Sequence, residues 1–244
     1  MRCPNCGSEI SDLSYFEVLK PFHVLFDKNR KPKSARIIQQ EVSDFSEVYD
    51  TVVKKIIYGS SHLDERSFKL NVATLLPSFG MTRNSLFHGL KIRKNTIMDP
   101  GHVLEICWTQ SRNELKAIKQ EICNQTSDRS RAILELQEES KNYVIASMSE
   151  LFDKLEWTRI NGRRIGRVGA SKILFSVLPE AALPVDNAEW DDVFGTHCYG
   201  KVLSTMIEEI NEWEKNSKAH LETLDPKSRT TVTSIYNVMA MAAR

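Results

Sequence analysis

The sequence lacks a long apolar run, an excess of charge of either sign, and an even set of cysteines. No stretch of about 18 consecutive apolar residues occurs, so we expect no membrane-spanning helix. The first ten residues, MRCPNCGSEI, do not contain the apolar core of a secretory signal. The net charge of +1 means that any anion-binding site must come from local clustering. Five cysteines do not indicate structural disulfides and favour a cytoplasmic location.

Helical periodicity is present over much of the chain. Apolar residues recur at helical spacing in 45–57, in two blocks at 112–125 and 129–157 within 111–158, and in the C-terminal segments KVLSTMIEEINEWEKN and SRTTVTSIYNVMAMA. The 244 residues, 41% of them hydrophobic, are enough for one large domain or two small ones. We expect a mostly α fold with a less regular N-terminal part. Its predicted divisions are an N-terminal CxxC segment, an N-terminal lobe and a helical lobe, at 1–12, 13–110 and 111–244.

A glycine-rich basic segment, INGRRIGRVGASK, follows the second helical block. Gly162, Gly166 and Gly169 predict a tight turn between two helices. Such a turn exposes backbone N–H groups, which bind phosphate together with the N-terminal dipole of the second helix. Four cations lie in or beside the turn and strengthen the prediction of an anion site: Arg163, Arg164, Arg167 and Lys172.

A lone acid follows the next apolar helix, which we predict at 171–178. The text LPVDN places Asp186 after Pro184 and Val185, where a core would favour an apolar residue. One interpretation is a functional carboxylate, and the other is an N-cap for a helix over 187–194. Competing acids follow in the same helix, and we expect them on its exposed turns: Glu189, Asp191 and Asp192.

The turn and the acid together resemble a known family. The text IGRVGAS at 165–171, an apolar helix, then Pro-Val-Asp and Trp190, is similar to the helix-hairpin-helix DNA glycosylases of the endonuclease III superfamily. The resemblance covers 150–195, with the helix-hairpin-helix at about 150–172. It implies a mostly α, two-lobed, helix-hairpin-helix glycosylase-like fold whose cleft lies between the N-terminal and helical lobes.

The resemblance implies roles for individual residues. Asp186 would stabilise the positive charge that develops on the sugar as the base–deoxyribose bond breaks. The position at which strand-nicking members carry a lysine falls on Ser171, so we expect a monofunctional enzyme. Lys172, one residue later, is the candidate second catalytic group and would make the enzyme a lyase. The predicted DNA-binding residues are Gly166, Arg167, Gly169, Ser171, Arg163 and Arg164.

The expected function is therefore hydrolysis of a flipped damaged or modified base from double-stranded DNA. Modified bases of phage DNA, and hence antiviral defence, are one substrate class, and ordinary lesions are the other. The alternative is a non-catalytic helix-hairpin-helix subunit of a repair or defence complex, and a metal-dependent nuclease ranks third. We expect a monomer that acts on the nucleoid in the cytoplasm, contacts no membrane and requires no cofactor.

Three other features are candidates for binding. Cys3 and Cys6 form half of a zinc site, which needs four ligands, and a plain N-terminal turn is the alternative. The text HGLKIRKN at 88–95, with Arg83 and Phe87, is a second basic cluster that either contacts DNA backbone or is simply solvated. Four tryptophans are expected mainly in the core, although one of them, or Phe87, could stack on a flipped base: Trp108, Trp157, Trp190 and Trp213.

Overall fold

The computed structural model describes residues 35–57, 63–81, 86–94, 96–126, 128–225, 227 and 230–243. These residues are mostly helical, which confirms the predicted mostly α class. The helices are α1 (Ala35–Ile57), α2 (Glu65–Ser78), α3 (Val103–Gln125), α4 (Ala132–Glu135), α5 (Glu138–Trp157), α6 (Gly166–Val177), α7 (Tyr199–Ser217) and α8 (Val232–Ala243). A π-helical segment (Glu189–Phe194) and a 3₁₀ helix (Leu221–Leu224) flank α7.

Two antiparallel hairpins supply the strands that are described. Strands β1 (Lys91–Arg93) and β2 (Thr96–Met98) form the first, and β3 (Arg159–Ile160) and β4 (Arg163–Arg164) form the second. Among the described helices, none has the length and apolar character that crossing a membrane requires.

The chain divides into two compact units, which we describe separately. One contains Thr51–Val185, and the other contains the described residues of Met1–Asp50 together with Asp186–Arg244. The boundary predicted between 110 and 111 falls inside α3, and the structure divides the chain elsewhere. Residues 1–34, which belong to the predicted less regular N-terminal part, lie outside the described residues.

Helix α6 is the central element of the unit Thr51–Val185. It packs against α2 and α5, while α3 packs against α2 and α5 in turn. Every residue from 169 to 185 is buried. Most side chains of GASKILFSVLPEAALPV are small or apolar, and the two charged ones, Lys172 and Glu180, lie against an aromatic ring and two cations. At two of the helices of this unit, α2 and α3, carboxylates accept hydrogen bonds from the first backbone N–H groups. Asp64 forms a capping box with Ser67 at α2, and the Asp99 carboxylate accepts the first N–H groups of α3.

The other unit is built on aromatic side chains of its own helices. Helix α8 packs on α7, the 3₁₀ helix and the π-helical segment. The buried aromatic residues are Trp190, Tyr199, Trp213 and Tyr236. The start of α1 joins this unit where Gln39 Nε2 donates a hydrogen bond to the carbonyl of Thr223, at 3.3 Å.

Candidate nucleic-acid interface

The segment between α5 and α6 is a β-hairpin. Arg159 pairs with Arg164 and Ile160 with Arg163, and the Ile165 N–H donates to the Thr158 carbonyl at 3.1 Å. Asn161 and Gly162 form the two-residue loop, with φ of 52° and 79°. Positive φ at both positions is the geometry of a type I′ turn. The predicted tight turn between two helices is therefore wrong, and the Asn-Gly dipeptide was the signal for the hairpin.

The hairpin carries positive charge that no acidic side chain of the described residues neutralises. Arg159, Arg163 and Arg164 are all exposed. None of the carboxylates in the described ranges forms an ion pair with these three arginines. Arg159 and Arg164 oppose one another across the strands, and like charges in this position destabilise a hairpin. A polyanion bound at the hairpin would relieve that repulsion.

Trp157, the last residue of α5, lies beside the hairpin. It is 57% exposed, and the Arg164 guanidinium stacks over its indole with 3.7 Å between the guanidinium carbon and the ring centroid. The other three tryptophans are buried, as expected. The core position predicted for Trp157 is wrong, because its neighbours on the chain are the exposed strands of the hairpin rather than another helix.

Two of the predicted phosphate-binding residues, Gly166 and Gly169, require glycine for different structural reasons. Gly166 begins α6 with φ of 74°, in the left-handed region that favours glycine, and a Cβ there would meet nothing within 4 Å. Gly169 is buried, and a Cβ there would lie 2.8 Å from Ile165 Cγ2 and 3.4 Å from Phe87 Cε2. Packing against Ile165 and Phe87 therefore accounts for Gly169 without a phosphate. Arg167, between the two glycines, is half-buried.

Phe87 connects the second basic cluster to the first turn of α6. The second basic cluster contains strand β1 of the β1–β2 hairpin, and its residues Lys91, Arg93 and Lys94 are exposed. Phe87, just before it, is buried against Gly169. The fold thus brings the chain just before the β1–β2 hairpin close to the chain just after the β3–β4 hairpin, within one unit. The sequence did not indicate this proximity. Arg83 lies outside the described residues.

Ser171 acts as a clamp inside the unit. Its hydroxyl is fully buried and accepts a hydrogen bond from the Val185 N–H at 3.1 Å. The same oxygen lies 3.2 Å from the Val185 carbonyl and 3.1 Å from the Val168 carbonyl, to which it donates. Val185 is thereby held against the first turns of α6. Burial favours this packing role for Ser171 over direct contact with DNA.

Lys172, the candidate lyase residue, is also buried. It is 4% exposed, and its Nζ lies 4.9 Å from the centroid of the Phe79 ring. Phe79 in turn packs edge-on against Phe175, with 6.0 Å between ring centroids. A lysine over an aromatic face gains cation–π attraction. This contact directs the amine at the core of its own unit.

Asp186 follows Val185 and begins the next unit. The residue is half-buried, and its carbonyl accepts a hydrogen bond from the Trp190 N–H at 3.0 Å, the first bond of the helical segment. Glu189 accepts a hydrogen bond from the Asp186 N–H at 2.6 Å through its carboxylate, which is the reciprocal half of a capping box. The Glu189 side chain is buried, so the expectation that it lies on an exposed turn is wrong, whereas Asp191 is exposed.

A buried ion pair organises the chain just before Asp186. Glu180 is fully buried and pairs with Lys119 and with Arg129, whose Nη2 lies 2.7 Å from the carboxylate. Burial raises the pKa of Glu180, but the two cations outweigh it and hold that pKa below its ordinary value. Lys119 also lines a pocket of about 240 Å³, together with Lys55, Ile56, Leu63, Ser67, Leu70, Asn71 and Val177. None of the predicted site residues that the structure describes lines this pocket.

The candidate zinc ligands Cys3 and Cys6 lie outside the described residues. Within the described part, Glu214, His220 and Glu222 bring their potential ligand atoms within 4.8 Å of one another. Glu214 already accepts a hydrogen bond from the Leu221 N–H at 2.8 Å, which closes the turn after α7. Burial raises the pKa of Cys107 to about 12, with a further contribution from Asp99, so this thiol stays protonated at neutral pH.

No protein-family model, curated protein or solved structure matches the chain.

Proposed function

We propose that the protein is a DNA N-glycosylase, which binds DNA through the β3–β4 hairpin and hydrolyses the bond between a flipped base and deoxyribose. DNA binding is supported by the exposed arginines of the Asn-Gly hairpin, which form no ion pair with the described carboxylates. An exposed tryptophan lies beside them. Guanidinium groups bind phosphate oxygens in a bidentate manner, so they suit a DNA backbone.

The chemistry is assigned to Asp186. As the base departs, positive charge develops on the sugar, and a carboxylate near C1′ stabilises it. Water then adds to C1′, and the departing base receives the proton that balances the reaction. The clamp by Ser171 supports this assignment, because its hydroxyl oxygen holds the N–H of the preceding Val185, and its single proton is shared between the Val168 and Val185 carbonyls. A fixed backbone limits the positions that the following carboxylate can adopt.

The reaction we propose is monofunctional. Lys172 would need to leave the ring of Phe79 and the interior of its unit to attack C1′. The expected product is therefore an intact strand with an abasic site, which breaks only under hot alkali or a separate lyase. Borohydride should trap no covalent protein–DNA species. A trapped species that disappears in Lys172→Ala would refute the monofunctional assignment alone.

A second candidate is a non-catalytic DNA-binding subunit. Asp186 has the backbone hydrogen bonds of a helix N-cap, with Glu189 bound to its N–H and Trp190 bound to its carbonyl. A capping role explains an acid at this position without catalysis. In this case the hairpin would bind DNA for an enzyme carried by another chain.

The deciding experiment measures base release and DNA binding separately. Mass spectrometry would identify bases released from a panel of damaged DNAs and phage DNAs by wild type, Asp186→Asn and the control Asp191→Asn. We expect Asp186→Asn to lower release by two or more orders of magnitude with DNA binding retained, and Asp191→Asn to match wild type. Release at the wild-type rate by Asp186→Asn refutes the catalytic assignment. Binding with no release from any DNA favours the second candidate.

The binding arm uses charge reversal at the hairpin. Arg159→Glu with Arg163→Glu should weaken binding to all sequences alike and reduce the slope of log affinity against log salt by about 2. Arg112→Glu is the control, because Arg112 is an exposed arginine of α3 in the same unit. Equal losses in the control and in the hairpin variant would contradict a specific role for the hairpin.

A further inference from the structure

We propose that Trp157, backed by Arg164, is a stacking platform for an unpaired nucleobase of the bound DNA. The inference rests on the proposed DNA binding by the hairpin and specifies the substrate more closely. It predicts that the protein prefers DNA with an unpaired or single-stranded base next to the contacted phosphates.

The exposure of the indole is the first observation. Of the large apolar residues noted as exposed in the described ranges, Trp157 is the most exposed, at 57%. The other three tryptophans are at most 5% exposed. Leaving an indole in water forgoes one of the largest hydrophobic gains available to any side chain. The position therefore favours a partner that covers the ring.

The arrangement of the ring is the second observation. Arg164 covers one face of the indole at 3.7 Å, yet more than half of the residue stays exposed. The exposed surface of the ring is therefore the part that Arg164 leaves uncovered. The backbone of Arg164 is held by its strand pairing with Arg159 and by the type I′ turn. The pairing limits the positions that the Arg164 side chain can adopt beside the ring.

Charge and shape together identify the partner. A flat aromatic face selects a planar ring, and the neighbouring guanidinium groups of Arg159 and Arg163 select phosphates. A nucleic-acid strand supplies both, since base and phosphate alternate along it. Bases inside a duplex already stack on both neighbours, so the faces available to the indole are those of an unpaired base or of a terminal pair. An acidic peptide would use the arginines and leave the ring uncovered.

Tryptophan fluorescence tests the platform directly, because the other three tryptophans are buried and respond little to ligand. Four DNA probes of equal length would be titrated: single-stranded oligo-dT, an oligomer of deoxyribose phosphate without bases, a blunt duplex, and a duplex with one bulged base. We expect quenching with oligo-dT and with the bulged duplex. We expect none with the base-free oligomer, and less with the blunt duplex than with the bulged one, because the blunt duplex offers only the faces of its two terminal pairs.

Variants separate the ring from the charge. Trp157→Ala should weaken oligo-dT binding by about 5- to 150-fold, which is the range for one base–aromatic stack, and Trp157→Phe should recover part of it. Binding of the base-free oligomer should change less than twofold. Tyr143→Ala, which removes another exposed aromatic ring of α5, should bind as wild type does. Circular dichroism would establish that each variant is folded.

Each failure has a distinct signature. If the protein binds every probe with the expected salt dependence, but without quenching and without an effect of Trp157→Ala, the platform is refuted and DNA binding by the hairpin stands. If no probe binds at low salt, both the platform and the proposed DNA-binding function are refuted. Absence of base release, with quenching intact, leaves the platform and removes only the glycosylase activity.

Discussion

The substitution Ser171→Ala tests the clamp that precedes Asp186. In the structure the Ser171 hydroxyl accepts the Val185 N–H at 3.1 Å and lies within hydrogen-bond reach of the Val185 carbonyl at 3.2 Å. Both residues are fully buried, so water cannot replace the lost bonds without opening the unit. A buried donor left without a partner costs about 1–3 kcal/mol, and the weakened carbonyl adds to it. We expect the free energy of unfolding to fall by about 2–4 kcal/mol.

Ser176→Ala is the matched control for this change. Ser176 is also a fully buried serine of α6, and its hydroxyl donates to the Lys172 carbonyl one turn earlier, at 2.7 Å. That carbonyl belongs to the helix and keeps its backbone hydrogen bond when the hydroxyl is removed. The control should therefore cost less than about 1 kcal/mol.

Urea unfolding followed by circular dichroism measures both variants under the same conditions. The difference between them isolates the long-range bonds to Val185 from the loss of a buried hydroxyl. Equal losses in Ser171→Ala and Ser176→Ala would refute the clamp. If the glycosylase proposal holds, Ser171→Ala should also lower base release at a temperature where the variant remains folded, because Asp186 loses its backbone support.

The remaining predictions concern buried charges and one backbone position. Glu180→Gln should destabilise the protein by about 3–5 kcal/mol in urea unfolding, because Lys119 would remain buried with a weakened partner. Because the pKa of Glu180 is lowered, the interaction of its carboxylate with Lys119 and Arg129 stabilises the wild type fully above the ordinary glutamate pKa of 4.5. This stability is lost as pH falls through the lowered pKa. Glu180→Gln should remove that part of the acid dependence of unfolding. Burial raises the pKa of Tyr236, and the neighbouring carboxylate of Glu209 raises it further. The free energy of unfolding should therefore fall as pH rises above about 10 towards that raised pKa. A Tyr236→Phe variant whose stability falls with the same slope in alkali would contradict this. Gly166→Ala should cost about 1–2 kcal/mol from its positive φ alone, and an unchanged unfolding midpoint would show that the backbone there adopts another conformation.

Local sequence signals predicted the helices well. The block predicted at 112–125 is the C-terminal part of α3, and the tail segments are α7 and α8. The block 129–157 differs in one respect, since the structure divides it into α4 and α5. Each of these helices shows apolar residues at intervals of three and four, a signal that depends only on neighbours along the chain.

The β3–β4 hairpin was also encoded by local sequence, although the segment was predicted to be a turn between two helices. Glycine spacing at 162, 166 and 169 favoured a turn between helices, whereas the Asn161-Gly162 pair is the stronger signal for a β-hairpin. Both a turn between helices and a β-hairpin would expose the arginines of this segment. The predicted cationic surface therefore agrees with the exposed Arg163 and Arg164. The glycosylase activity inferred from the same text stays a prediction.

The sequence by itself determined the helical class, the position of the basic segment and the lone acid after Pro184-Val185. Only the tertiary structure decided which side chains face inward. Ser171 is buried because Val185, fourteen residues away, returns to it, and Gly169 is buried because Phe87 packs against it. Trp157 is exposed for the opposite reason, since the chain turns into a hairpin before another helix could cover the ring. Periodicity reports one face of an element, but the partner of that face comes from a distant part of the chain, so burial is settled only when the elements pack.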